Sequence, residues 1–140
     1  MTGYVNVPQV GRVDRDFLRL VPETRTALFQ EGIGRDAYIL VGDGVEERLT
    51  NLSLTDAKKL TGRLKGRVLT GEEYQKVVRF AQEHKLVDSL GLRENMELLQ
   101  GTSDKASIGM YDAISEDCMT ENETPTSGKA IYVFLRRVRD

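Results

Sequence analysis

AIYVFLRRV, residues 130–138, is the most strongly β-prone stretch of this 140-residue chain, and its reading decides the fold. Ile131, Val133 and Leu135 fall on one face of a strand, with Tyr132 and Phe134 on the other, because successive side chains alternate. A strand that is apolar on both faces needs cover on both, so it belongs in the middle of a sheet or between packed layers. Such a strand completes its own sheet or adds to a neighbour's edge. Ile131, Tyr132, Phe134, Arg136 and Arg137 are therefore the candidate partner-binding residues.

Just upstream, SEDCMTENETPTSG (115–128) has no period, is acidic and ends in turn formers. It reads as a loop, and loops of this length in compact domains are usually functional or mobile. Asp112, Glu116, Asp117 and Glu121 form an acidic cluster. Like charges so placed would repel, and a hard cation would relieve them. The spacing of a calcium loop is absent, however, so a solvated acidic loop is expected rather than a metal site.

Two helices are expected further back. TGEEYQKVVRFA (70–81) begins with a capping box, in which Thr70 and Glu73 can each satisfy an orphan backbone N–H. Tyr74, Val77, Val78 and Ala81 then form one apolar stripe. SLTDAKKLTGRL (53–64) offers a capped start and apolar positions at Ala57, Leu60 and Leu64. Gly62 and Gly66 weaken it, each costing about 1 kcal/mol relative to alanine. Leu86, Val87, Leu90 and Leu92 fall out of phase, implying a bend or the start of a new helix near Gly91. RENMELLQ (93–100) reads as a third helix, stopped by Gly101.

The N-terminal third looks β-like. Val5 and Val7 precede the breakers Pro8 and Gly11, and Phe17 to Val21 is a further apolar run ended by Pro22. ETRTALFQ (23–30) suits a short helix or a strand. Tyr38–Val41 and Val45–Leu49 flank Gly42-Asp43-Gly44, a hairpin signal. Gly32, Gly34 and Ala37 fit G-x-G-x-x-A, but a dinucleotide fingerprint needs a strand before the glycines and a helix after them. Here the order is inverted, so the glycines turn the chain. Strands, then helices, then a strand give an α+β fold. The expected arrangement is one domain over residues 1–140, with a small antiparallel or mixed sheet packed on two to three helices.

Apolar residues make up 39% and charged residues 30%, which is globular rather than disordered composition. No run approaches the ~20 apolar residues of a membrane span, and no membrane partner is expected. The first residues lack the basic head and apolar run of a secretory leader. Cys118 is the sole cysteine, suiting a reducing cytoplasm. Net charge is −2, but residues 1–70 carry 11 Lys/Arg against 9 Asp/Glu and residues 71–140 carry 9 against 13. The halves are therefore oppositely charged, +2 and −4. Lys58, Lys59, Arg63, Lys65 and Arg67 put five cations within ten residues without an intervening acid. Such a patch suits an acidic protein partner or a phosphate backbone. It contains no aromatic residue on which bases could stack.

Three readings follow. The first is a non-catalytic interaction or assembly subunit, probing either its own copies or a protein partner; a virus or phage accessory or structural role fits it. The second is a nucleic-acid-binding accessory protein using the basic stretch 58–67. The third is a small ligand-binding domain or enzyme using the 115–128 loop, with His84 and Cys118 as a nucleophilic dyad. The first is preferred. No catalytic residue, cofactor or metal is expected.

Overall fold

The computed structural model describes residues 3–15, 38–40, 48–50, 52–93, 96–101, 105–112, 117–120, 129–130 and 133–140. The fold is α+β. Strands β1 (Tyr4–Val7) and β2 (Gly11–Asp14) form an antiparallel hairpin. β3 (Tyr38–Leu40) and β4 (Arg48–Thr50) pair antiparallel, as the flanking runs foretold. The glycines between and before them, and the Phe17–Val21 and 23–30 stretches, lie outside the described residues.

β5 (Leu52–Ser53) leads into α1 (Leu54–Arg63), whose first turn is capped by the Ser53 hydroxyl accepting from the Asp56 N–H. Leu54, Ala57, Leu60 and Thr61 face inward. The helix closes with Lys65 in the left-handed region (φ 63°) and the Gly66 N–H reaching back to Thr61 O, so a lysine fills the place glycine usually takes. After β6 (Arg67–Val68) comes α2 (Gly71–Glu83), with both arms of its capping box formed. Thr70 N–H donates to Glu73 Oε1 at 3.0 Å and Glu73 N–H to Thr70 Oγ1 at 3.1 Å. Its stripe of Tyr74, Val77, Val78 and Ala81 is buried. Lys85 (φ 56°) ends it in the same way, with Leu86 N–H bonded to Ala81 O. Residues 86–92 are turns that bury Val87, Leu90 and Leu92.

The helix expected over 93–100 is instead a strand, β7 (Met96–Gln100). Met, Glu and Leu favour helices, but β7 lies between two other strands with Glu97, Leu98 and Leu99 buried on both faces. Ladder bonds and packing on both sides override propensity. Its neighbour β8 (Ala106–Asp112) is antiparallel to it and, on its far side, to β9 (Asp117–Thr120). The 115–128 stretch is thus not all loop: its residues 117–120 are an edge strand. Pairing with β8 supplies an order that the polar sequence of β9 does not announce. Gly109 in β8 is required by close approach, since a Cβ there would lie 2.8 Å from the Tyr74 ring and from Leu99 Cδ1.

Within the 130–138 stretch the described residues are divided among three strands, of which two are central in their sheets. β10 (Lys129–Ala130) pairs with β5, β11 (Val133–Phe134) lies between β4 and β7, and β12 (Arg137–Arg139) lies between β2 and β6. The sheet orders are β3-β4-β11-β7-β8-β9 and β1-β2-β12-β6. The chain passes from one to the other at Leu135 and Arg136. α1 packs on β5, β6 and β7; α2 packs on β1, β7, β8 and β9. The core gathers round α2, joining Val5, Val13 and Val138 of one sheet to Leu99 and Tyr111 of the other. Among the described residues, no helix is long and apolar enough to cross a membrane.

Candidate functional site

The C-terminal arginines turn inward. Arg136 is fully buried, donating its Nε–H to the buried Glu97 Oε1, Nη1 to the carbonyls of Asp14 and Arg15, and Nη2 to Leu90 O. Burial pushes the Glu97 carboxyl above its usual range, and the charge and hydrogen bond of Arg136 oppose that rise. Arg137 pairs with Asp14 Oδ2 at 2.8 Å and donates to Leu64 O at 2.6 Å. Arg139 holds the other oxygen of Asp14 at 3.2 Å. One buried carboxylate is thereby gripped by two arginines of β12. Arg12 and Arg139 also stand 5.8 and 5.5 Å from the Tyr4 ring centroid.

These guanidinium groups tie β2, β7, the 86–92 turns and the end of α1 to the C-terminal segment. Arg136 and Arg137 therefore bind within their own chain, and neither is on an outer surface. Phe134 is in the central strand β11, and Ile131 and Tyr132 lie outside the described residues.

The basic stretch is placed differently. Lys58, Lys59 and Arg63 are exposed on α1, whose buried positions are Leu54, Ala57, Leu60 and Thr61; Lys65 in the closing turn and Arg67 in β6 are exposed as well. Beside them opens a cavity of about 350 Å³ between α1, β6, the cap of α2 and the end of β7. Lys58, Arg67, Thr61, Thr70 and Gln100 line it. Arg67 is locked to Glu73 by two hydrogen bonds of 2.6 and 2.7 Å. Burial alone would raise the Glu73 carboxyl, but bonds from Arg67 and the Thr70 N–H outweigh it and hold it below the usual range. The same pairing raises Arg67. Gly66 forms part of the wall, where a Cβ would collide with the Arg137 side chain. The wall is thus braced from behind by the arginine network.

His84 caps the C-terminal end of α2, exposed, with its ring 4.2 Å from that of Phe80. Cys118 sits in β9 opposite Tyr111, and Asp112 stands opposite Asp117 across the same ladder. Glu116 and Glu121 lie outside the described residues. Among the described residues, no group of three or more His, Cys, Asp or Glu side chains is arranged to hold a metal.

The chain matches no protein-family model, no curated protein and no solved structure. Sequence reasoning found the cations but missed the cavity beside them, whose wall combines residues 58 to 100 and so has no local signature. It also missed that Glu97 and Asp14 are the internal partners of the arginines. Their separations in sequence, 39 and 123 residues, leave no pattern to read.

Proposed function

We propose that the chain is a non-catalytic protein-interaction subunit of the cytoplasm, assembling with copies of itself or with a protein partner. The observation that supports this reading is the exposed cationic stretch of α1 and the turn after it, of which Lys58 and Arg67 line a cavity. Lys58, Lys59 and Arg63 project from a helix anchored by its buried face and Lys65 from the turn that closes it, so their placement is built into the fold. Preordered charges of one sign attract a complementary surface and fix its register. The lone cysteine suits a reducing compartment. Light scattering coupled to size exclusion, with a pull-down from lysate, tests the reading. Concentration-dependent mass above the monomer, or a retained partner, supports it. A chain that stays monomeric and retains no protein overturns it.

The same exposed cations favour a second reading, a nucleic-acid-binding accessory protein. Against it, Arg67 is engaged by Glu73, and no aromatic residue occurs between Leu54 and Arg67 for base stacking. Fluorescence anisotropy with random DNA and RNA oligonucleotides in low salt separates the two, since phosphate contacts are strongest there.

A further inference from the structure

Gly62 stands within the exposed cationic face of α1, and the described residues give no reason for it. Thr55, Lys58, Lys59, Gly62 and Arg63 are the exposed positions of that helix. At about 100° per residue, Gly62 falls between Lys58 and Lys59 round the helix axis. Glycine inside a helix is destabilising relative to alanine. Gly62 does not have a positive φ, and among the described residues no atom lies within 4 Å of a Cβ built there. Neither backbone conformation nor contact with the described residues explains the glycine. It leaves bare backbone between cations, where another chain can approach closely.

Lys59 and Arg63 are four residues apart, so about 6 Å separates them along the axis. Side chains on one face of an extended chain repeat every two residues, or about 7 Å. Carboxylates at alternate residues of an extended segment therefore meet the two cations in turn. Lys58 also lines the cavity of about 350 Å³, which gives a further side chain of such a segment room to enter. The cationic surface is short. Asp56 lies in the first turn of α1, and α2, whose cap residue Thr70 lines the cavity, opens with Glu72 and Glu73. A long polyanion laid on this face would run onto those carboxylates, whereas a short peptide would end before them. From these features, and resting on the interaction reading above, we infer that the partner protein engages α1 through an extended acidic segment. The segment packs over Gly62 and sets alternate carboxylates on Lys59 and Arg63.

Fluorescence anisotropy of the whole chain with a labelled octapeptide of alternating glutamate and serine, in about 0.05 M salt, tests the inference. The peptide should bind, and its counterpart with glutamine for glutamate should not. Lys59→Glu with Arg63→Glu should weaken binding at least about tenfold. Gly62→Gln should raise Tm by a few degrees and yet weaken binding severalfold, because its side chain fills the path of the segment. Circular dichroism checks the fold of each variant. If the double reversal unfolds the chain, Lys59→Gln with Arg63→Gln takes its place, with part of the loss expected. Gly62→Gln that binds the peptide like the unaltered chain overturns the docking over Gly62. An unaltered chain that self-associates or retains a protein, but does not bind the peptide, overturns the inference and leaves the interaction reading intact. A chain that does none of these overturns that reading first. A labelled DNA or RNA oligonucleotide that binds more tightly than the peptide, and is lost with Lys59→Glu and Arg63→Glu, assigns the face to polyanions and also overturns the inference.

Discussion

Arg136 and Glu97 form an ion pair with both side chains buried, at the point where the chain crosses from one sheet to the other. Glu97 keeps its second oxygen, Oε2, without a hydrogen-bond partner. The pair is thus held mainly by Arg136, whose remaining donors fasten to three carbonyls. Removing one partner of such a pair leaves an uncompensated buried charge and costs about 3–5 kcal/mol.

Arg136→Met should therefore destabilise the fold by that amount, and more at alkaline than at acid pH. Glu97 has a raised folded-state pKa, so the folded chain holds its proton more firmly than the unfolded chain does. The stabilisation this provides is complete below the ordinary carboxylate range and is lost as pH rises through the raised value. Without Arg136 only burial acts, and the decline steepens. Urea unfolding at about pH 5 and about pH 8 measures the deficit. An equal deficit at both would show that Glu97 does not titrate as its burial requires.

The cap of α2 gives the opposite pH dependence. Glu73 is held below its usual range, so its contribution is present above the ordinary carboxylate range and lost as pH falls through the lowered value. Glu73→Gln should flatten the acid limb of the stability curve. Thr70→Ala should cost about 1 kcal/mol across the neutral range. Helicity followed during acid titration reads both effects. An acid limb unchanged in Glu73→Gln would mean that Arg67 and Thr70 do not hold that carboxyl.

Lys85 closes α2 in a left-handed conformation that costs a residue with a Cβ about 1–2 kcal/mol. Lys85→Gly should recover up to about 1 kcal/mol of this, raising Tm by a few degrees, while Lys85→Ala should recover none. Thermal melts of the two variants side by side check it. Equal melting temperatures would count against the conformation.

Gly109 sets how closely α2 approaches β8. Gly109→Ala should lose about 1–3 kcal/mol by overpacking against Tyr74 and Leu99. Leu99→Val in the same chain should return part of that loss, because the two sites share a contact. Strict additivity of the two changes in denaturant unfolding would remove the steric account.

Local signals were legible and distant ones were not. The capping box at Thr70 and the Tyr74-to-Ala81 stripe lie within one helix, so spacing alone announces them. The central placement of β11 and β12 was in keeping with the apolar pattern of 130–138, but their division at Arg136 was not announced. That division depends on Glu97, itself buried in a segment whose composition favours a helix. β9 was hidden for a related reason: Asp117 to Thr120 becomes a strand through the partner it pairs with. The cations of 58–67 could be counted in the sequence, while the cavity that Lys58 and Arg67 line emerges only when α1, β6 and the end of β7 are brought together.

Sedimentation velocity of the unaltered chain over a concentration series, in about 0.05 M and about 0.5 M salt, is the most direct test that exposed charges bring copies of the chain together. In low salt the weight-average sedimentation coefficient should climb with concentration; in high salt it should fall back towards the monomer, because exposed charges are screened. A single monomer boundary at every concentration in low salt would contradict it.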